Sequence, residues 1–398
     1  MVIESGDSSS VRVDVSAAGR GDAVLLPGED AAVVAGDGPG PAAASPPGRG
    51  WLRAHRTPVV LLALLALLAG GAMLFALRLN AMVGSIARVD TSLPEGLRPV
   101  AGPVGPAVDS VSGPPVTLLL AGVDNGDDGI GIAEAVRSGR WQPGRFRSDT
   151  LMVLHIAADR RAAYLVSIPR DTLVTIPGHG QTKINAAFSY GGPALMQLTV
   201  EQFTGQRMDH LVLVDWNGLR DLSLALGGVA VDVAEDVRDP ISGRTWTKGV
   251  HNLQGSDVLA YVRMRYGLPG GDLDRIQRQQ NVMREMLRKL GSTGTLANPL
   301  TLDEAVQAIT SNVVVDSGFD DAQIRDLAVQ SRGLRPGDVR YVTTPVAGAS
   351  TTPDGASVLL PQTDQTRDLF AAMARDDLGG YLQTHPELTQ LRPVDQVR

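Results

Sequence analysis

The chain has 398 residues, a formal net charge of −7 and no cysteine. The acidic balance excludes a nucleic-acid surface spread over the whole molecule, and the lack of cysteine excludes disulfide staples and thiol chemistry. The length would allow two or three average domains, but the first quarter lacks the apolar periodicity of a globular core.

Residues 1–50 are dominated by Gly, Ala, Ser, Pro and Asp, so they read as a disordered tail. An uncharged apolar stretch follows from Pro58 to Leu77, and about 20 helical residues at 1.5 Å each span roughly 30 Å of hydrocarbon. It is longer than a signal-peptide core and lies behind a long leader, so a transmembrane helix over 58–79 is expected instead of a cleaved signal. Arg49, Arg53 and Arg56 precede the span, while Arg78 and Arg88 follow it more sparsely. That bias predicts a cytoplasmic N-terminus, a single pass and an extracytoplasmic remainder. Residues 80–115, rich in Pro, Gly and Val from Leu93 to Pro115, read as a stalk.

From Val116 to Asp377, short β-rich runs alternate with amphipathic helical patterns, the signature of an α/β or mixed three-layer domain. Val116–Asp124 is a continuous apolar run ending in a carboxylate, as expected of a strand buried on both faces. Runs 150–157 and 162–168 read as a hairpin, with further strands at 211–216 and 229–233. Helices are expected at 192–204, 216–226, 256–262 and 272–290, and residues 378–398 read as a polar tail.

The stretch from Tyr261 to Gln279 carries Arg263, Arg265, Arg275 and Arg278. Planar guanidinium forks match phosphate oxygens bidentately, so convergence of these side chains would suit a pyrophosphate. Two such charges about 6 Å apart at an effective dielectric of about 20 repel by roughly 2 to 3 kcal/mol, so neighbouring carboxylates or a bound anion must offset them. Along 272–290, Ile276, Met283, Leu287 and Leu290 form one stripe, and Asp272, Arg275, Arg278 and Gln279 fall on an adjoining arc. One face is expected to pack and the next to bind. Asp124, the Arg147/Asp149 and Arg170/Asp171 pairs, and Lys183 with Asn185 also lie at or near strand ends, where α/β folds place ligand sites.

Taken in order, GVD, RSDT, IPRD, KINAA, a Gly-Gly helix start, YVRMR and GDxxRxxRQ resemble the motif set of the LytR-CpsA-Psr family of membrane-anchored cell-wall ligases. The resemblance is close over about 116–290 and looser to 377. It implies a three-layer α/β/α sandwich with a central mixed sheet that moves a glycan phosphate from a polyprenyl pyrophosphate carrier to a muramic acid hydroxyl of peptidoglycan. By the same resemblance, Asp124 and Asp149 hold Mg²⁺, while Arg147, Arg170, Lys183, Arg263, Arg265, Arg275 and Gln279 line the pyrophosphate. Asp272 orients the arginines, and Asn185 and Arg278 join the substrate-binding set. A metal of this type takes one or two carboxylates plus phosphate oxygens, and phosphoryl transfer needs positioning and charge stabilisation above covalent chemistry. Either Asp149 or Asp171 could serve as general base.

The run between Asp124 and Asp149 is longer and richer in glycine and charge than the family's usual link, and reads as a lid or an extended loop. Within it, Asp127 and Asp128 imitate metal ligands. Two rival functions use the same site: a non-catalytic binder or sensor of polyprenyl-pyrophosphate glycans, and a polyprenyl pyrophosphatase. A transcription regulator is disfavoured, because the short tail carries no helix-turn-helix pattern. The Ala/Gly/Val/Arg-rich composition resembles that of high-GC actinobacterial proteins, in which the family ligates arabinogalactan or other wall polysaccharides.

Overall fold

A computed structural model describes residues 56–100, 113–124, 130–142, 144, 146–264 and 266–389, with side chains from residue 65 onward. The chain divides between Leu65 and Ala66, and the architecture below is that of the second unit. Helix α1 (Arg56–Gly84) contains a stretch, Leu65–Gly84, long and apolar enough to cross a membrane.

The centre of the fold is a seven-stranded mixed sheet. In chain order its strands are β1 (Ala87–Val89), β2 (Val116–Asp124), β3 (Arg147–Ile156), β4 (Ala163–Ile168), β5 (His210–Asp215), β6 (Val313–Asp316) and β7 (Val339–Thr343). Across the sheet they lie in the order β1-β6-β5-β2-β3-β4-β7. The apolar runs of β2, β3 and β4 occupy the middle, as their buried residues require: Leu119, Val153 and Val166 are all fully buried. The β3–β4 hairpin expected from the sequence is present, with Leu151 opposite Ile168 and Ile156 opposite Ala163.

Helices cover both faces, giving an α/β fold with helix layers about a mixed sheet. One face packs under α2 (Ile132–Arg137), α3 (Ala186–Thr204), α4 (Leu378–Thr384) and neighbouring residues such as Phe370. The other face packs Leu118, Val313 and Val315 beneath Ile324 and Leu327, and Met152 and Leu165 beside Met283. A second, smaller core is built by α5 (Trp216–Ala225), α6 (Ser256–Arg263), α7 (Asp272–Leu290) and the hairpin formed by 229–233 and 249–253, around Val231, Tyr261 and Met286.

Several expectations are corrected. Residues 80–100 are not a plain stalk: α1 runs to Gly84 and β1 pairs in parallel with β6, Ala87 opposite Val314, because edge-strand backbone groups need partners. Residues 101–112 lie outside the described residues, as does the tail 1–50. Residues 378–389 are not a polar tail, since Leu378, Leu382 and Leu388 are buried in the main core. Helix α3 starts before Gly192, which takes φ +66° at a kink ahead of Pro193, a residue without the amide hydrogen a straight helix would use. The described part of the link before Asp149 is neither lid nor extended loop: Ile132, Ala133, Ala135 and Phe146 are buried, and Trp141 packs on Phe146 and Phe188 at 5.1 and 5.5 Å between ring centroids. Asp127 and Asp128 lie outside the described residues.

Candidate functional site

The sheet brings the charged strand ends together. Strand β2 delivers Asp124 at its carboxyl end, opposite Arg147 at the start of β3, with a register shift between Gly122 and Val123. A Cβ on Gly122 would stand 2.9 Å from the Thr150 Cβ, so glycine lets the two strands close just before the carboxylate. Past the end of β4, Pro169 turns the chain: its carbonyl accepts from the Thr172 backbone N–H at 3.0 Å and from Thr172 Oγ1 at 2.6 Å. Arg170 and Asp171 sit in that turn. Helix α6 ends at Arg263 and α7 begins at Asp272.

These elements enclose a cavity of about 290 Å³ lined by Asp124, Asp149, Arg170, Arg263, Arg275 and Gln279, with Trp216, Asp239 and Tyr266 among its other walls. Arg263 Nη2 donates to Asp124 Oδ1 at 3.0 Å and lies over the Trp216 ring, 4.9 Å from its centroid. Arg170 Nη1 donates to Asp149 Oδ1 at 2.5 Å, and its Nε lies 3.8 Å from Asp272 Oδ1, the atom that also holds Arg275. Asp272 thus ties two of the lining arginines together, and the carboxylates offset the repulsion that converging guanidiniums would suffer. Burial of Arg170 disfavours its charge, but Asp149 and Asp272 outweigh that and raise its pKa.

A second cavity, of about 120 Å³, adjoins the first and shares Trp216, Val262 and Gln279 with it. Its other walls include Leu120, Met152, Leu219 and Met283, so it runs into apolar space between the sheet and helices α5 and α7. A polar chamber therefore opens beside an apolar one.

The remaining candidates are placed differently. Arg147 is exposed beside Asp124 but outside the cavity lining. Lys183 pairs with Asp171 at 2.9 Å, and the Asn185 backbone N–H donates to the Arg170 carbonyl at 3.3 Å, so both brace the turn that carries Arg170. Arg278 points away: it is fully buried, stacks 4.3 Å over the Tyr261 ring and donates to the Tyr261 carbonyl at 3.3 Å. Arg265 lies outside the described residues. The division of α7 into one packing face and one binding face is thereby corrected, because its first half is buried against the second core as well as the sheet. Among the described residues no group of three or more His, Cys, Asp or Glu side chains could form a metal cage. The hard oxygens of Asp124 and Asp149 on one cavity wall nonetheless match what Mg²⁺ takes from a protein when phosphate oxygens supply the rest.

Several wall residues were missed from sequence. Trp216 follows directly on Asp215 at the end of β5, so the strand-end rule could have found it. Asp215 caps α5 by accepting from the Gly218 N–H at 2.9 Å and holds the Ile132 N–H at 2.8 Å, and burial pushes its pKa up. A Cβ at Gly131 would come within 2.5 Å of Asp215 Oδ2, so the α2 segment can dock there only with glycine. Asp239 arrives from a distant turn without a local signal.

Comparison with known proteins fits this geometry. The chain is 34% identical over 286 residues to the cell wall biosynthesis protein LcpA of Corynebacterium glutamicum, covering 64% of this chain and 54% of that one. It is 36% identical over 208 residues to the polyisoprenyl-teichoic acid–peptidoglycan teichoic acid transferase TagU of Enterococcus faecalis, covering 52% and 63%. The chain thus spans less than two thirds of the length of either of these curated relatives. Among solved structures, TagT bound to LIIa-WTA superposes with a TM-score of 0.52 at 25% identity, over 72% of this chain and 99% of that one. The LytR-Csp2A-Psr enzyme from Actinomyces oris shares the fold, with a TM-score of 0.53 at 23% identity over 73% and 96%. The LytR_cpsA_psr family profile matches residues 99–375, and the chain belongs to that family.

Proposed function

We propose that this protein transfers a glycan phosphate from a polyprenyl pyrophosphate carrier to a muramic acid hydroxyl of peptidoglycan, releasing polyprenyl phosphate. The observation that carries this reading is the pairing of chambers: guanidiniums and carboxylates line one, and it adjoins an apolar one beneath the helices. A lipid pyrophosphate is an anion joined to a long hydrocarbon, and the two chambers match its two halves. The relatives' names, a cell wall biosynthesis protein and a teichoic acid transferase, support the same class of donor and acceptor.

In this reading Arg170, Arg263 and Arg275 bind the pyrophosphate oxygens, with Asp272 fixing the directions of Arg170 and Arg275. Preorganised charges of this sort stabilise the departing polyprenyl phosphate without reorganising during the reaction. Asp124 and Asp149 would hold Mg²⁺, which supplies charge neutralisation at the phosphates. Lys183 and Asn185 brace the Arg170 turn, and Gln279 stands where the two chambers meet. Helix α1 crosses the membrane once with its N-terminus in the cytoplasm, leaving the domain outside. Strand β1 is parallel to β6, β6 antiparallel to β5, and β5 parallel to β2. The sheet end that α1 enters is therefore the end that carries Asp124, and a membrane-held donor is on the side it needs to be.

The test uses the full-length protein in lipid nanodiscs with a polyprenyl-pyrophosphate disaccharide and an uncrosslinked peptidoglycan oligomer, with and without Mg²⁺, read by mass spectrometry. A Mg²⁺-dependent gain of one disaccharide phosphate on the acceptor, lost in Arg263→Ala, is the expected result. Free disaccharide phosphate alone would make the protein a pyrophosphatase, and intact donor retained on the protein would make it a binder.

A further inference from the structure

We infer that the segment from Gly291 to Leu302, joining α7 to the following helix (Pro299–Asn312, α8), is a second membrane contact, seated in the headgroup and acyl boundary of the outer leaflet beside α1. The inference rests on α1 crossing the membrane and is independent of which reaction the site performs.

The first observation is composition and exposure. Every residue from Gly291 to Leu302 is uncharged, yet Leu296 and Leu300 are 57% and 75% exposed, and Ala297 and Pro299 between them are exposed as well. Polar residues commonly cover a solvent-facing helix start, whereas in the exposed run 296–300 Asn298 is the one polar residue among leucine, alanine and proline.

The second observation fixes where the segment lies relative to the span. Helices α1 and α8 each lead into one of two neighbouring parallel strands, α1 into β1 and α8 directly into β6, with Ala87 opposite Val314. Farther from the sheet, Arg78 of α1 holds Asp303 of α8 through both its Nε and its Nη2. Counted from the register pair, these residues lie nine and eleven positions back, so the two helices run side by side in the same sense. Leu300 is one turn before Asp303, which brings it level with Phe75, inside the apolar run that ends at Leu77. Leu296 is the next exposed leucine back along the chain, in the short helix Thr293–Leu296 that precedes α8. At that depth an exposed leucine meets lipid instead of water, and an amphipathic helix start with an apolar tip is the form of interfacial anchors.

A bilayer is favoured over a second copy of the chain as the occupant because the patch continues the lipid-exposed surface of α1, where Leu67, Leu68, Met73, Leu74 and Leu77 are all exposed. Two contacts, a span and a boundary segment, would fix the tilt of the domain where a span alone leaves it free to swivel.

The native absence of cysteine makes the test direct. Full-length variants Leu300→Cys, Leu296→Cys, Leu74→Cys and Arg161→Cys are spin-labelled and reconstituted in liposomes of mixed neutral and anionic phospholipid, and the label's access to oxygen and to a water-soluble nickel chelate is compared. Arg161, in the turn after β3 at the opposite end of the sheet from α1, reports water. The expected result is an oxygen-to-nickel ratio at 296 and 300 several-fold above that at 161 and approaching that at 74. A ratio at 296 and 300 equal to that at 161, with 74 still lipid-like, would overturn the inference while sparing the span. A water-like ratio at 74 would overturn the span reading and this inference with it. Spin–spin broadening at 300 that vanishes on dilution of labelled with unlabelled protein would assign the patch to a second copy and also overturn the inference.

Discussion

The two ends of the central sheet carry the same kinds of side chain and use them differently. At the end where β2 finishes, Asp124 and Arg263 pair while remaining 33% and 44% exposed, on the wall of a cavity. At the opposite end the histidines border a cavity of about 470 Å³ but are tied to their neighbours. His155, 2% exposed, shares a hydrogen bond with Thr117 Oγ1 at 2.9 Å and another with Asp376 Oδ1 at 3.0 Å, and Asp376 Oδ2 accepts from the Ala158 N–H at 3.0 Å. His210 lies 3.3 Å from Asp316 and stacks on Phe319 with centroids 4.1 Å apart. There each polar group joins one element to another: β2 to β3, β3 to the 376 turn, β5 to the end of β6. Both ends border a cavity, so neither residue type nor access to open space separates them. The difference is that the histidines use their polar atoms to join one element to another, while Asp124 and Arg263 keep exposed polar surface that a ligand can meet.

The sharpest way to break the comparison is Asp124→Asn. If the site end binds and reacts, transfer should fall by about 100-fold or more, the scale for losing one charge-stabilising group, while the thermal midpoint stays near that of the parent. An equal loss of stability would make Asp124 a staple too. Next comes Arg278→Ala, which removes a buried stem and its stacking on Tyr261 and should cost about 2 to 4 kcal/mol in denaturant unfolding. Arg278→Met, which keeps the volume, should recover most of that, because a packed apolar chain can replace a buried ion at little cost. Transfer by the folded fraction should persist in both, since Arg278 does not line the cavity.

At the far end, His155→Ala leaves the Asp376 and Thr117 partners stranded, and should cost about 1 to 3 kcal/mol with turnover per folded molecule unchanged. The smallest effect concerns pH. Burial opposes the Asp316 charge, but bonds from His210, the Leu211 N–H and the Gly318 N–H outweigh it and hold the carboxyl below its usual pKa. A depressed carboxyl contributes stability that is full above its unfolded pKa, near about 4, and is lost as pH falls through the lower folded value. Asp316→Asn should therefore flatten the acid limb of a stability-against-pH curve measured by urea unfolding. Asp215 works with the opposite sign: its raised folded pKa means that stability is lost as pH climbs through that value.

Much of the frame was legible in the sequence because it depends on neighbours along the chain. The run Val116–Asp124 is β2 to the residue, and the pattern from Asp272 to Leu290 is α7 to the residue. A continuous apolar run and a 3.6-residue period are local facts, and so is a carboxylate at a strand end. The motif residues also converge in the fold: Asp124, Asp149, Arg170, Arg263, Arg275 and Gln279 line one cavity.

What the sequence left open depends on partners far away in the chain. Arg275 and Arg278 sit three residues apart on one helix, and one turns to the cavity while the other lies over Tyr261, because α6 packs against one flank of α7 and not the other. Strand β1 joins the sheet only because β6, more than two hundred residues later, offers it an edge. The α2 segment is buried only because Asp215 and Phe188 receive it, and Asp239 reaches the cavity from a separate hairpin. By itself the sequence determined the apolar span, the order of strands and helices along the chain, and the chemical identity of the groups at the strand ends, since these follow from local pattern and side-chain chemistry. Tertiary structure alone decided which of those groups share a chamber and which are sealed into the core, because that choice is made by long-range packing, where burial sets both the company and the charge of each side chain.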